Sequence, residues 1–222
     1  MDAGDALAQA RFWARALDLR LVDRGDGSAR LDPATGRART EVVWIDPVPE
    51  PRIGKNRVHL DLRLAEPDPA PLVAAGARIV RTPGGHATWW VLADPEGNLF
   101  CAFPPRADTT PGVYELVVDC RDARAQAEWW AALVGGTVSA DPPGAAVSGA
   151  SGFPWQYWVF DPVPEPKTVK NRLHWDVDLA DPEPLAFLEA GAKLLREPGG
   201  DMTWWVLADP EGNEFCAFPP GR

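Results

Sequence analysis

His59 and Asp61 stand two residues apart in the run VHLDL, and His174 and Asp176 keep that spacing in LHWDV. Strand alternation would put His59, Asp61 and Arg63 on one face and Val58, Leu60, Leu62 and Leu64 on the other. The second copy would set His174, Asp176 and Asp178 opposite Leu173, Trp175, Val177 and Leu179. A lone histidine in a strand is more often a hydrogen-bonded structural residue than a group available for chemistry, and its presence in both copies brings the two readings level. Lys55 and Arg57, and again Lys170 and Arg172, precede these strands. Two cations so spaced can steer an anionic ligand, or can simply be solvated charges bridging to neighbouring acids. Six of the eleven tryptophans form the doublets Trp89-Trp90, Trp129-Trp130 and Trp204-Trp205. Such rings line apolar ligand cavities and fill small cores alike. The expected ligand-binding set is His59, Asp61, His174 and Asp176 with Trp175, Trp204 and Trp205 nearby. The chain contains no GxGxxG, P-loop, HExxH, CxxC or nucleophile-elbow motif.

The elements that must position these groups occur twice. Residues 46–105 align without a gap with 161–220 at an offset of 115, and TWWVLADPEGN-x-FCAFPP differs only at Leu99 and Glu214. A period this long marks a duplicated domain rather than a solenoid repeat of about 20 to 50 residues. The division is expected at 1–105 for domain 1, 106–111 for a linker and 112–222 for domain 2. In the second copy Tyr114 to Asp119 reads as a strand, and Asp122 caps a helix that runs to Val134 and stops at Gly135-Gly136. Thr137 to Ala140 follows as a strand, and Asp141 to Gly152 reads as loop from its Pro, Gly, Ser and Ala content. Trp155–Phe160 and Arg172–Leu179 read as strands, and Glu183–Ala190 as a helix. Lys193–Arg196, Thr203–Ala208 and Glu214–Phe218 read as strands, with a DPEGN turn before the last. In the first copy Asp5 caps a helix through Leu17. The opening strand has no counterpart there, because MDAGDA aligns with VDCRDA, at the end of that strand. Either the chain starts upstream, or domain 1 borrows a strand from domain 2 or a second chain, or its cavity differs.

A net charge of −10 disfavours nucleic acid and anionic membrane surfaces as partners. No apolar run approaches the roughly 18 residues of a membrane span. The N-terminus lacks the basic start and apolar core of a signal peptide, and three cysteines, an odd number, suggest reduced thiols. A cytoplasmic protein that binds a small-molecule ligand, with no nucleic acid and no membrane partner, is expected. A homodimer stays open.

A DC-x-D start before a helix with a WW or FW doublet, KNR-x-H-x-D, and DPEGN-x-FC together resemble the glyoxalase-like domains of the vicinal oxygen chelate superfamily. The resemblance implies an α+β fold of tandem duplicated domains built of βαβββ modules, with curled mixed sheets around a cavity. It also implies either a small-molecule-binding protein with an aromatic-lined cavity, as in bleomycin-binding members, or a metal-dependent lyase, isomerase or dioxygenase. In the family a His near the start of a module and a Glu on its last strand hold a divalent metal. His59 and His174 match the first place, while Cys101 and Cys216 stand where the Glu would be and Glu115 stands at the opening-strand place. The nearest metal set is therefore Glu115, His174 and Cys216, and its thiolate would select Zn²⁺ over Mg²⁺.

Overall fold

The computed structural model describes residues 1–35, 39–141 and 143–221. Two compact units divide the chain, one of Met1–Val117 with Phe153–Gln156 and the other of Val118–Gly152 with Tyr157–Arg222.

The first unit opens with β1 (Asp2–Ala3), α1 (Ala6–Ala16), β2 (Arg20–Asp23), β3 (Ala29–Asp32) and β4 (Val43–Pro47). These strands run β1-β4-β3-β2, with β1 parallel to β4. The opening strand judged missing from the sequence is thus present in a two-residue form. Three backbone bonds hold it: the terminal ammonium donates to the Trp44 carbonyl, Asp46 N–H to Met1 and Val48 N–H to Ala3. Then come β5 (Val58–Arg63), α2 (Ala70–Ala75), β6 (Arg78–Arg81), β7 (Trp90–Ala93) and β8 (Leu99–Phe103). The next strand, β9 (Gly112–Cys120), lies beside β5, giving β9-β5-β8-β7-β6; residues 112–117 of it belong to this unit. The apolar face expected on β5 is buried, with Val58 and Leu62 at 2% exposure, and packs with the helix side of the sheet. Phe12 and Trp13 of α1 meet Phe100 of β8 at ring separations of 6.0 and 5.3 Å. The opposite face of β5 is polar in type yet also shielded: Asp61 and Arg63 are 2% and 5% exposed.

The second unit takes the end of β9 and continues through α3 (Ala123–Val134), β10 (Thr137–Asp141), β11 (Gly144–Ser148) and β12 (Tyr157–Pro162), ordered β10-β11-β12-β9. Strand β11 overturns the loop expected over Asp141 to Gly152, although Pro142 of that stretch lies outside the described residues. Its glycine and alanines are poor strand formers alone. Paired antiparallel on both sides, however, they bury Ala145, Ala146 and Val147. Pairing and burial outweigh intrinsic preference. The chain closes with β13 (Trp175–Asp178), α4 (Leu185–Glu189), β14 (Lys193–Arg196), β15 (Trp205–Ala208) and β16 (Glu214–Phe218), ordered β13-β16-β15-β14. Trp130 is the centre of this core. Its ring lies 4.6 Å from Trp158, 5.2 Å from Trp175 and 5.0 Å from Phe215. Its neighbour Trp129 is only half-buried, and the Trp129 indole donates to the Ala190 carbonyl.

The DPEGN turns connect strands to helices. The Asp94 carboxylate accepts Glu96 and Asn98 N–H groups and, at 2.6 Å, the Gln9 amide of α1. Asp209 repeats this with Glu211, Asn213 and Gln126 of α3. Burial raises the Asp209 pKa although these donors pull against the rise. Glu96 accepts the Asp5 N–H at the start of α1, and Glu211 accepts both Arg121 and Asp122 N–H groups at the start of α3. Each turn therefore satisfies backbone donors ahead of its helix.

Candidate functional site

In the first unit the polar face is a hydrogen-bonded assembly. Alternation along β5 and its parallel register with β8, Leu62 to Ala102 and Arg63 to Phe103, bring Asp61 level with Cys101. Asp61 Oδ1 lies 2.7 Å from His59 Nδ1 and accepts the Cys101 N–H, also at 2.7 Å. Burial, then the Asp61 charge, pushes the Cys101 thiol far above its ordinary range. Glu115 on β9 adds to that rise, so its carboxylate acts on this face. Rings and cations continue outward. Arg81 lies over Trp89, Trp89 meets Phe103 at 5.5 Å, and Phe103 meets Tyr114 at 5.3 Å. Arg63 covers the Tyr114 ring at 3.8 Å and donates to the Pro104 carbonyl. Alternation had placed Arg63 on this face; Phe103 and Tyr114 were not singled out from the sequence, although two-residue spacing from Cys101 would have found Phe103.

In the second unit the same positions converge differently. His174, Asp176 and Cys216 each offer one ligand atom, and the three atoms lie within 4.8 Å of one another. The β13–β16 register pairs Asp176 with Cys216, which sets both on one face. Cys216 is 8% exposed, and its thiol is pushed up to about 12 by burial first and then by Asp176. The Trp204 ring stacks on Phe218 at 5.3 Å, and Trp204 pulls the Cys216 thiol down against burial. Glu115 is not in this cluster; Asp176 takes the third place that the sequence reading had given to Glu115. Two tryptophans expected at the ligand lie elsewhere. Trp175 is 4% exposed in the core around Trp130. Trp205 pairs with Ala217, on the face opposite Cys216, and its indole donates to the Pro182 carbonyl. Period two explains both: a residue next to a polar-face residue points the other way.

The KNR runs resolve around their asparagine. Asn56 donates to the Leu99 carbonyl and accepts the Leu99 N–H, both at 2.8 Å, clamping the start of β8. Asn171 binds the Asn213 side chain, and its N–H reaches Glu214, which also pairs with Lys167 at 2.7 Å. The Lys170 charge acts on Cys216 and lowers its thiol's pKa slightly against burial.

Four βαβββ modules, each ordered first-last-third-second, and a His-x-Asp strand beside a Cys strand define a class. The model for the glyoxalase-like domain matches residues 1–103 and 115–218. The chain belongs to that family. No curated protein matches it. Among solved structures it is similar to a glyoxalase I variant from Zea mays, at TM-score 0.64 and 16% identity over 97% of this chain and 89% of that one. It is also similar to a proposed dioxygenase from Bacillus subtilis, at TM-score 0.68 and 13% identity over 99% and 83%. The cppA protein of Streptococcus pneumoniae follows at TM-score 0.53 and 11% identity over 99% and 96%. At these identities the likeness concerns the fold alone.

Proposed function

We propose that the protein binds a small organic molecule on the polar faces of its sheets, with aromatic rings supplying apolar contact. One observation carries this reading: in each unit the Asp of the His-x-Asp run shares its sheet face with neighbouring rings, Trp89, Phe103 and Tyr114 in the first and Trp204 and Phe218 in the second. A polar group that orients a ligand beside a flat apolar wall is the usual composition of a small-molecule site. A screen of small aromatic and carbonyl compounds by tryptophan fluorescence tests it. Saturable quenching by a hit, weakened in Trp204→Leu or Trp89→Leu, is the expected result. A hit whose affinity both variants leave unchanged would remove the aromatic faces from the argument.

A second reading, metal-dependent lyase, isomerase or dioxygenase chemistry of the vicinal oxygen chelate type, is favoured by the convergence of His174, Asp176 and Cys216. The donor set of nitrogen, carboxylate oxygen and sulfur fits Zn²⁺, for which three protein ligands and an open fourth place are a catalytic arrangement. Bound there, the ion would polarise a substrate oxygen. His174, Asp176 and Cys216 would hold it, and the Cys216 thiol would give up its proton on loading. Elemental analysis of protein purified without a His-tag separates the readings, and a stoichiometric divalent metal supports the second.

A further inference from the structure

Leu99 and Glu214 are the one difference in the TWWVLADPEGN-x-FCAFPP run that both repeats carry, and each is the first residue of its strand, β8 or β16. In the second unit both oxygens of the Glu214 carboxylate are engaged. Oε1 accepts Lys167 Nζ at 2.7 Å, and Oε2 accepts the Asn171 N–H at 3.2 Å. The two side chains of the ion pair are nearly buried, at 12% and 14% exposure. Asn171 is buried as well, and its side chain donates to Asn213 Oδ1 at 3.0 Å. Lys167 and Asn171 belong to the segment that joins β12 to β13. Glu214 thus ties this segment to the start of β16 at two points.

The first unit cannot make this tie, because leucine has no side-chain acceptor. Arg52, at the place of Lys167, is exposed and donates to the Gly54 carbonyl of its own loop. The difference reaches the histidines, each three residues beyond its asparagine. His59 lies within β5 and meets Asp61. His174 stands ahead of β13, which begins at Trp175. Its backbone is therefore placed by the tied segment before it rather than by the strand itself.

From this asymmetry, and on the metal-binding reading of the cluster, we infer that Glu214 is a positioning residue for His174, Asp176 and Cys216. By holding Lys167 and the Asn171 N–H it fixes the segment that delivers His174 to the other two donors. Donor atoms of a metal set are held in place by such supporting bonds, and losing one weakens metal affinity by about 10- to 100-fold.

Zinc competition against a chromogenic chelator, and imidazole NMR of the metal-free chain, test the role of Glu214. The double variant Lys167→Met with Glu214→Leu removes the tie without leaving a nearly buried ammonium unpaired. It should bind zinc at least about tenfold more weakly than the parent chain. Glu214→Gln keeps a carboxamide oxygen for the Asn171 N–H and should stay within about threefold of the parent. In metal-free protein the His174 ring signal, assigned by its loss in His174→Ala, should shift in the double variant, while the His59 signal stays. The near-ultraviolet circular dichroism of the tryptophan core should match the parent. Unchanged zinc affinity in the double variant, an unmoved His174 signal, or Glu214→Gln as weak as the double variant would each overturn the inference. So would loss of the near-ultraviolet spectrum, which would make Glu214 a determinant of the fold. A parent chain that takes up no zinc would defeat the metal-binding reading instead, and the ring signals alone would then decide whether Glu214 places His174.

Discussion

Asp61 and Asp176 hold equivalent places in the duplication, and each acts on the cysteine of its neighbouring strand. Asp61 is committed to the His59 ring and the Cys101 amide. Asp176 lies within reach of both His174 and Cys216 as a third ligand atom. Zinc added to metal-free protein is therefore expected to load the second unit. His174→Ala should abolish stoichiometric uptake, while His59→Ala should change it little, as read by competition with a chromogenic chelator. Equal losses in both variants would contradict the assignment. The thiols add a pH dependence. Burial pushes Cys120 and Cys216 from an ordinary 9.0 up to about 12, so the folded chain keeps protons that the unfolded chain releases. Stability contributed by these groups is complete below pH 9 and falls as pH rises towards 12. Urea midpoints measured from pH 8 to 11 should decline, and Cys120→Ala should flatten the decline.

Single side chains hold the ends of elements here. Glu211 satisfies two N–H groups before α3, and Glu96 satisfies one before α1. Removing such a capping acceptor costs about 0.5 to 2 kcal/mol. Glu211→Ala should therefore destabilise more than Glu96→Ala in chemical denaturation, and the reverse order would show that these contacts do not carry the difference. The turn after α3 is tighter still. Gly136 has a φ of +106°, and a Cβ there would stand 2.7 Å from Val147 Cγ1 and 2.8 Å from the Ser148 carbonyl. Gly136→Ala should cost about 1 to 3 kcal/mol and push β11 away from α3. A thermal midpoint within a degree of the parent chain would count against this packing. Strand β11 itself was illegible in the sequence, because its small residues read as loop until β10 and β12 are placed on either side.

For the whole molecule, repeats and compact units are different divisions of the chain. The repeat begins its second copy near residue 112, whereas the units part at Val117 and Val118, inside β9. Strand β5 has β9 as its neighbour, so the first unit draws part of its sheet from beyond residue 105. A fragment of residues 1–111 lacks that neighbour. Its β5 amides, over Val58–Arg63, should exchange much faster than in the full chain. Equal protection would mean that repeat 1 is self-sufficient. Among the described residues no helix is long and apolar enough to cross a membrane.

The sequence alone determined the duplication, the βαβββ family pattern and the strand that bears His59, whereas His174 stands just before β13 rather than in the strand expected over Arg172–Leu179. Identity in register and period-two alternation are local properties, readable without coordinates. The caps at Asp5 and Asp122 were readable for the same reason, since a cap contacts residues three positions away. Tertiary structure decided which neighbours each polar residue meets. It brought Asp176 within reach of both His174 and Cys216, and made Asn56 a clamp on β8 forty-three residues away. Those outcomes depend on sheet order and register, which arise from long-range pairing, and no short window of sequence encodes that pairing.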